Sequence, residues 1–263
     1  MAIDVTKLEP AEVDPRQLRK TAFLLTAAMV FGGFAILWAY QTYGARTQNS
    51  KRPSMEAKIT DDARLITADG EERDIQDLKG KVTLAVTLPL TSQPRSEATL
   101  AAVERVMMHF ANREESPILL AFVLDGDEAN PAQMAEVLNQ YGEEPAVWRV
   151  ATGEDGKVSV RAFLKNRMRF GKYPHQNEDG SFDYDSKIVL LDQHLQLRGL
   201  PGSNEGWDFE RVQAMEDKFA RAKMENPEQE LIPPPMTLDQ LTEMLISAIE
   251  YLYAHPNEKG QAS

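Results

Sequence analysis

The chain has 263 residues, 42% of them hydrophobic, which is enough for a core of domain size. A net charge of -12 and an isoelectric point near 4.9 exclude nucleic-acid binding through phosphate contacts. The chain contains no cysteine, which excludes disulfides, thiol redox chemistry and thiolate metal sites from it.

Residues 1–20 are polar. Between Lys20 and Arg46 the 25 residues 21–45 carry no charge, and about 20 apolar residues in a helix cross the hydrocarbon layer. A transmembrane helix is therefore predicted over 21–43. Trp38, Tyr40 and Tyr43 lie at one end of it, as in an interfacial aromatic belt. A cleavable signal peptide would be shorter and end in small residues. Lys7, Arg16, Arg19 and Lys20 precede the span, and Arg46, Lys51, Arg52 and Lys58 follow it. Arg19 and Lys20 sit tightest against it, so the N-terminus is placed on the cytoplasmic (or matrix) side and the main domain in the periplasm (or intermembrane space).

Residues 44–58 read as a linker and 59–200 as the main domain. In "ARLITADGEERDIQDLKGK", Leu65 and Ile66, a turn at Asp69-Gly70, then Ile75 and Leu78 suggest a short hairpin. "KVTLAVTL" (81–88) is a continuous β-branched run of the kind found in a buried parallel strand. After the loop "TSQPRS", Leu100, Val103, Val106, Met107 and Phe110 recur at helical spacing. "SPILLAFVL" (116–124) is a second buried strand, and Asn130-Pro131 opens a helix whose inner face is Met134, Val137, Leu138 and Tyr141. "AVWRV" (146–150) reads as a strand, "KVSVRAFLKNRMRF" as a short helix, and "SKIVLLDQHLQLRG" (186–199) as two strands around a turn. The order β-α-β-α-β-α-β-β predicts an α/β sandwich with a mixed sheet.

Residues 201–263 form a helical extension. Phe209, Val212, Met215 and Phe219 share one face of a first helix, and "NPEQELIPPP" then forces an extended segment. Thr237 and Gln240 make a capping-box pattern for a last helix with Leu238, Leu241, Leu245, Ile249 and Leu252 on its apolar face. That helix is too interrupted by charge to cross a membrane, so it docks on the domain or on a partner.

Several of these stretches, in this order, resemble the Sco/SenC family of membrane-anchored, thioredoxin-fold proteins. "DLKGK" (77–81) looks like the family's lead-in to its first central strand, and "TSQP" (91–94) like its "TSCP". "LDGDEANP" (124–131) is similar to its acidic turn "VDPxxDTP", and "SKIVLLDQHLQLRG" to "SxIYLVDPDGxLRG". The likeness covers roughly residues 59–200 and the anchor. It implies a thioredoxin-like mixed sheet flanked by helices, and copper delivery or redox maturation of the CuA centre during cytochrome c oxidase assembly. It also implies a Cys-x-x-x-Cys pair and a distant His as copper ligands. By position, Gln93 and Glu97 stand where the cysteines would be and Tyr184 where the histidine would be.

An amide, a carboxylate and a phenol do not replace the soft donors that Cu(I) needs. One carboxylate with two neutral oxygens is equally a poor cage for a hard cation. Gln93 and Glu97 are then expected as solvated or hydrogen-bonded residues of a loop and a first helical turn, where the dipole favours an acid. His109, His175, His194 and His255 show no metal-ligand spacing, and His109 is expected at a helix surface or core edge. The adjacent Met107 and Met108 face different ways on a helix. "NEDGSFDYD" (177–185) lacks the register of a calcium loop and reads as a solvated hairpin turn. Ser92 and Ser96 have no neighbouring base, which leaves nucleophilic catalysis without support.

The expectation is a non-enzymatic, single-span membrane protein with no cofactor and no metal. It would serve as an accessory or assembly subunit of an integral membrane complex, a respiratory oxidase by the family likeness. The alternative is a copper metallochaperone using substituted or partner-supplied ligands.

Overall fold

Pro15 lacks the N–H that a first helical position does not use, and it begins a helix, α1, that runs Pro15–Gln48 in the computed structural model. Residues 15–48, 52–60, 62–67, 71–89, 97–124, 147–151, 160–203 and 205–257 are described. Within α1, the 21 residues Leu18–Trp38 are apolar and long enough to cross a bilayer, and none of them is buried by the protein. The Thr26 hydroxyl donates to the Ala22 carbonyl at 2.9 Å, so this polar group is satisfied within the helix. The chain divides into two compact units, residues 1–49 and 50–263.

The second unit is built on a six-stranded mixed sheet. Its strands are β1 (Ser54–Lys58), β4 (Thr83–Leu88), β5 (Ile118–Val123), β6 (Val147–Ala151), β9 (Val189–Leu191) and β10 (Gln196–Gly199), in the spatial order β1-β10-β9-β4-β5-β6. β4, β5 and β6 run parallel, whereas β9, β10 and β1 add on antiparallel to their neighbours. Every residue of β4 and β5 is buried, as the unbroken apolar runs predict for strands covered on both faces. Two hairpins stand outside this sheet, β2 (Arg64–Ile66) with β3 (Glu72–Asp74) and β7 (His175–Gln176) with β8 (Phe182–Asp183). Ile75 and Leu78, expected in the first hairpin, instead ride on a 3-10 turn that Asp74 caps, and both are fully buried.

Side-chain alternation sends Leu84, Val86 and Leu88 to one face of the sheet and Ala85 to the other. On the first face lie α2 (Glu97–Phe110), α4 (Phe209–Glu225) and α5 (Leu238–Ala254). On the second lie α3 (Val160–Asn166), through Phe163 and Leu164, and the β2–β3 region, through Leu65, Ile75 and Leu78. The helix expected to begin at Asn130, with Met134, Val137, Leu138 and Tyr141, lies outside the described residues.

Two expectations about boundaries change. The linker placed over 44–58 ends in β1, which hydrogen-bonds to β10 with an irregularity between Met55 and Ala57. "SMEAK" has no apolar alternation because this strand is held at the sheet edge by its backbone and is only half-buried. The extension over 201–263 completes the core on the α2 face. Thr237 and Gln240 form the capping box, and Leu241, Leu245, Ile249 and Leu252 are buried against the same cluster as Val103 and Phe110. Each such side chain contributes on the order of 2 kcal/mol of apolar burial. The last helix therefore docks on its own domain.

Candidate functional site

The family likeness points to the C-terminal end of β4 and the loop before α2 as the place for a site. Leu88 and Pro89 are buried there, and α2 begins at Glu97. Gln93, in the intervening loop, lies outside the described residues. Glu97 is exposed in the first turn of α2, where the helix dipole favours a carboxylate. The Thr87 hydroxyl donates to the Asp185 carbonyl at 2.6 Å and so holds the 184–186 segment beside this strand end. The fold thus brings the stretch holding Tyr184 to β4.

The side chains themselves do not converge. Tyr184 is 7% exposed and belongs to the core on the α3 face, with Phe122, Phe163, Phe170 and Phe182. Glu97 opens the helix that covers the opposite face. A carboxylate in solvent and a phenol packed in the other layer do not make a coordination sphere, and neither is a soft donor. Copper does not fit these two positions. Among the described residues no three His, Asp or Glu side chains approach closely enough to hold a metal.

Next to Tyr184 is a group of charges that sequence spacing did not reveal. Asp185 accepts a hydrogen bond from the Gly171 amide and another from the Lys187 amide at 3.2 Å. The Lys187 ammonium lies 3.6 Å from the Asp185 carboxylate and donates to the Arg169 carbonyl at 2.5 Å. Arg169 takes a φ of 56°, a left-handed turn between the buried Met168 and Phe170. Glu56 of β1 faces the same region, and its carboxyl is pushed up by burial, while Lys187 and Arg169 pull it back down. These groups come from positions 56, 169–171 and 185–187, so only the fold assembles them. Their bonds clamp the 168–171 turn to the start of β9.

The remaining sequence candidates fall on structural duties. His109 is on the last turn of α2 at the surface, with Nε2 3.1 Å from Glu250 and 2.7 Å from the Arg113 guanidinium. Met107 is buried and Met108 is 67% exposed, so the pair does point apart. Within the 177–185 stretch, expected as a solvated turn, residues 177–181 form the β7–β8 turn, with Gly180 at a φ of 83° and Asp179 accepting from the Ser181 amide and hydroxyl, whereas Phe182 and Tyr184 are buried because they pack into the core on the α3 face. His194 and His255, far apart in the sequence, meet at the end of α5. There His194 Nε2 donates to the Pro256 carbonyl at 2.9 Å and His255 Nδ1 to the Tyr251 carbonyl at 2.9 Å. With Gln193 Nε2 on the Leu252 carbonyl at 3.0 Å, they satisfy the open carbonyls of the helix terminus.

The "LDQHLQLRG" stretch owes its pattern to a buried ion pair. Asp192 and Arg198 side chains are 2% and 3% exposed and meet at 2.7 Å. The second Asp192 oxygen accepts from the amides of His194 and Gln196 at 2.8 and 2.9 Å. Trp207 Nε1 donates to the Arg198 carbonyl at 2.8 Å and ties the start of α4 to β10.

A mixed sheet of this order, with α2 following the central β4 and further helices on both faces, defines an α/β domain. Solved structures similar to the chain include Sco/SenC proteins. A SCO1/SenC family lipoprotein from Bacillus anthracis is 16% identical, with 66% of this chain and 96% of that one covered and a TM-score of 0.47. Arabidopsis thaliana ScoI with copper bound is 14% identical over 73% and 99%, with a TM-score of 0.46. Yeast Sco1 with copper bound is 15% identical over 66% and 96%, with a TM-score of 0.42. No family model and no curated protein matches the chain.

Proposed function

We propose that this chain is a membrane-anchored, non-catalytic protein acting as an accessory or assembly subunit of a respiratory membrane complex of the cytochrome c oxidase type, without holding metal itself. The observation that carries the metal-free reading is the donor set. Glu97 is in solvent, Tyr184 is packed into the opposite layer, and the chain has no cysteine. Soft Cu(I) has no thiolate to bind, and thiol exchange has no sulfur to proceed through. The oxidase as partner rests on the motifs shared with the Sco/SenC family. Support for an interaction role also comes from the C-terminal helices, which enlarge the domain without adding reactive groups. The apolar Leu18–Trp38 stretch is assigned as the anchor, with the N-terminus on the cytoplasmic or matrix side and the domain across the membrane.

Cu(I) titration of the full chain in mild detergent, against a competing chelator, tests the metal half. No stoichiometric binding is expected, and submicromolar binding would return the chain to the copper chaperones. Blue-native gels of solubilised membranes test the partner half: the chain migrates with an oxidase-sized complex, and a free monomer alone overturns the reading. Protease protection in sealed vesicles checks the topology.

A further inference from the structure

The segment joining α4 to α5 is built unlike any other connection among the described residues. Its two ends are fixed. Asn226 closes α4 with its amide on the Ala222 carbonyl at 3.0 Å, and Thr237 opens α5 through a reciprocal capping box. Between them, Pro233, Pro234 and Pro235 lock φ, and each pushes the residue before it into an extended conformation. The prolines favour an extended, polyproline-like backbone up to a bend at Pro235. Leu231, Pro234, Met236 and Thr237 are half-buried, with Met236 against the core, and Ile232, Pro233 and Pro235 are exposed. Ile232 is 92% exposed, the most of any large apolar side chain among the described residues.

A single exposed isoleucine on a flexible loop would mean little. Here three prolines restrict the backbone beside it and both ends of the segment are fixed by helices, so docking it costs little ordering entropy. The charge around it is one-sided. Glu225, Glu228 and Glu230 are exposed, and no Lys or Arg occurs from Met224 to Leu238.

We propose that the outward edge of this strap, Ile232, Pro233 and Pro235, is a docking ligand for a partner protein with a groove lined by aromatic rings and rimmed by Lys or Arg. Flat rings pack against proline faces, and the basic rim meets Glu228 and Glu230. An anionic bilayer surface is disfavoured by the same three carboxylates, and a second copy of this acidic chain brings more of the same charge. The proposal deepens the reading as an interaction protein and rests on it.

The test places a photo-crosslinking residue at Ile232 in the full chain, in its native membranes, with a second at Asp217 as a control. The cross-linked peptides are then sequenced. The expected result is one protein site with aromatic residues beside Lys or Arg, its yield falling at least tenfold when Pro233, Pro234 and Pro235 are replaced by Ala. A smaller fall is expected for Glu228→Gln with Glu230→Gln. Adducts to lipid, to a second copy, to a site without aromatic residues, or undiminished by loss of the prolines overturn the proposal, as does no adduct. Because Pro234 is half-buried, the loss is read also from Pro233→Ala with Pro235→Ala, which changes exposed side chains only, and thermal unfolding of that variant near the parent value separates lost docking from lost folding. Co-migration with the complex in blue-native gels without such an adduct sinks the strap alone. A free monomer in those gels sinks the function beneath it.

Discussion

The Asp192–Arg198 pair is a sharp probe of what holds the domain together. Both side chains are almost completely removed from solvent, with the Arg198 Nε and Nη2 groups 2.9 and 2.7 Å from Asp192 Oδ2. Asp192→Asn keeps the shape and an amide oxygen for the His194 and Gln196 amides but removes the charge opposite the guanidinium. Breaking one partner of such a buried pair costs about 3–5 kcal/mol, because the other charge is left without compensation. In a domain of this size each kcal/mol lowers the melting temperature by about 2–4 °C, so a fall on the order of 10 °C is expected. The assay is denaturant unfolding of the full chain in mild detergent, followed by tryptophan fluorescence. Trp207 is a good reporter because it is fully buried and bonded to the Arg198 carbonyl. Adding Arg198→Met to Asp192→Asn removes the orphaned charge and should recover most of the loss. A single-variant cost below about 1 kcal/mol, or no recovery in the double variant, would refute this reasoning.

Leu245→Ala empties a fully buried site between α5 and the sheet and is expected to cost about 2–5 kcal/mol in the same assay. A near-neutral result would mean that α5 is not part of the core. Gly199→Ala would drive a Cβ into Glu56 Oε1 and to 2.7 Å from the Glu205 carbonyl, and the second of these is backbone and cannot step aside. A loss of about 1–3 kcal/mol is expected, with β1 the first element to lose amide protection in hydrogen exchange. Burial raises the Glu56 carboxyl, so its ionisation works against folding: stability is greater below the ordinary carboxylate range and is lost as pH rises through the raised value. Glu56→Gln therefore stabilises the chain at neutral pH, and the difference from the parent disappears on acidification. Glu250 has the opposite sign, held low first by the His109 hydrogen bond and then by Arg113. Its contribution is present at neutral pH and is lost as the pH falls below the carboxylate range, and Glu250→Gln erases that part of the acid sensitivity.

The buried strands were readable because their signal is carried by single residues. In β4 and β5 every position is apolar or Thr and every one is buried, so no register needed to be guessed. The α2 and α5 stripes were readable for the same reason, since Val103, Val106 and Phe110, and Leu241, Leu245 and Leu252, repeat with the helix. β1 was not, because an edge strand is held by backbone bonds that "SMEAK" does not encode. Nor was the Asp185–Lys187–Glu56 group, whose members lie on different elements. The two histidines at the end of α5 were hidden likewise, 61 positions apart in the sequence and joined only by the turn of β9 into β10.

The site positions show how far a motif can reach. The order of weak motifs singled out Tyr184 in the sequence, and the structure holds its neighbour Asp185 beside β4 through the Thr87 hydroxyl. What a motif cannot supply is the direction of the side chain. A phenol is large and mostly apolar, and beside Phe122, Phe163 and Phe182 it gains more from packing than from facing a loop. Thr87, Asp185 and Lys187 hold the segment beside the end of β4 with hydrogen bonds and an ion pair. On the function proposed above, the surface to examine for a partner is the one that the C-terminal helices and the segment joining them add to the domain.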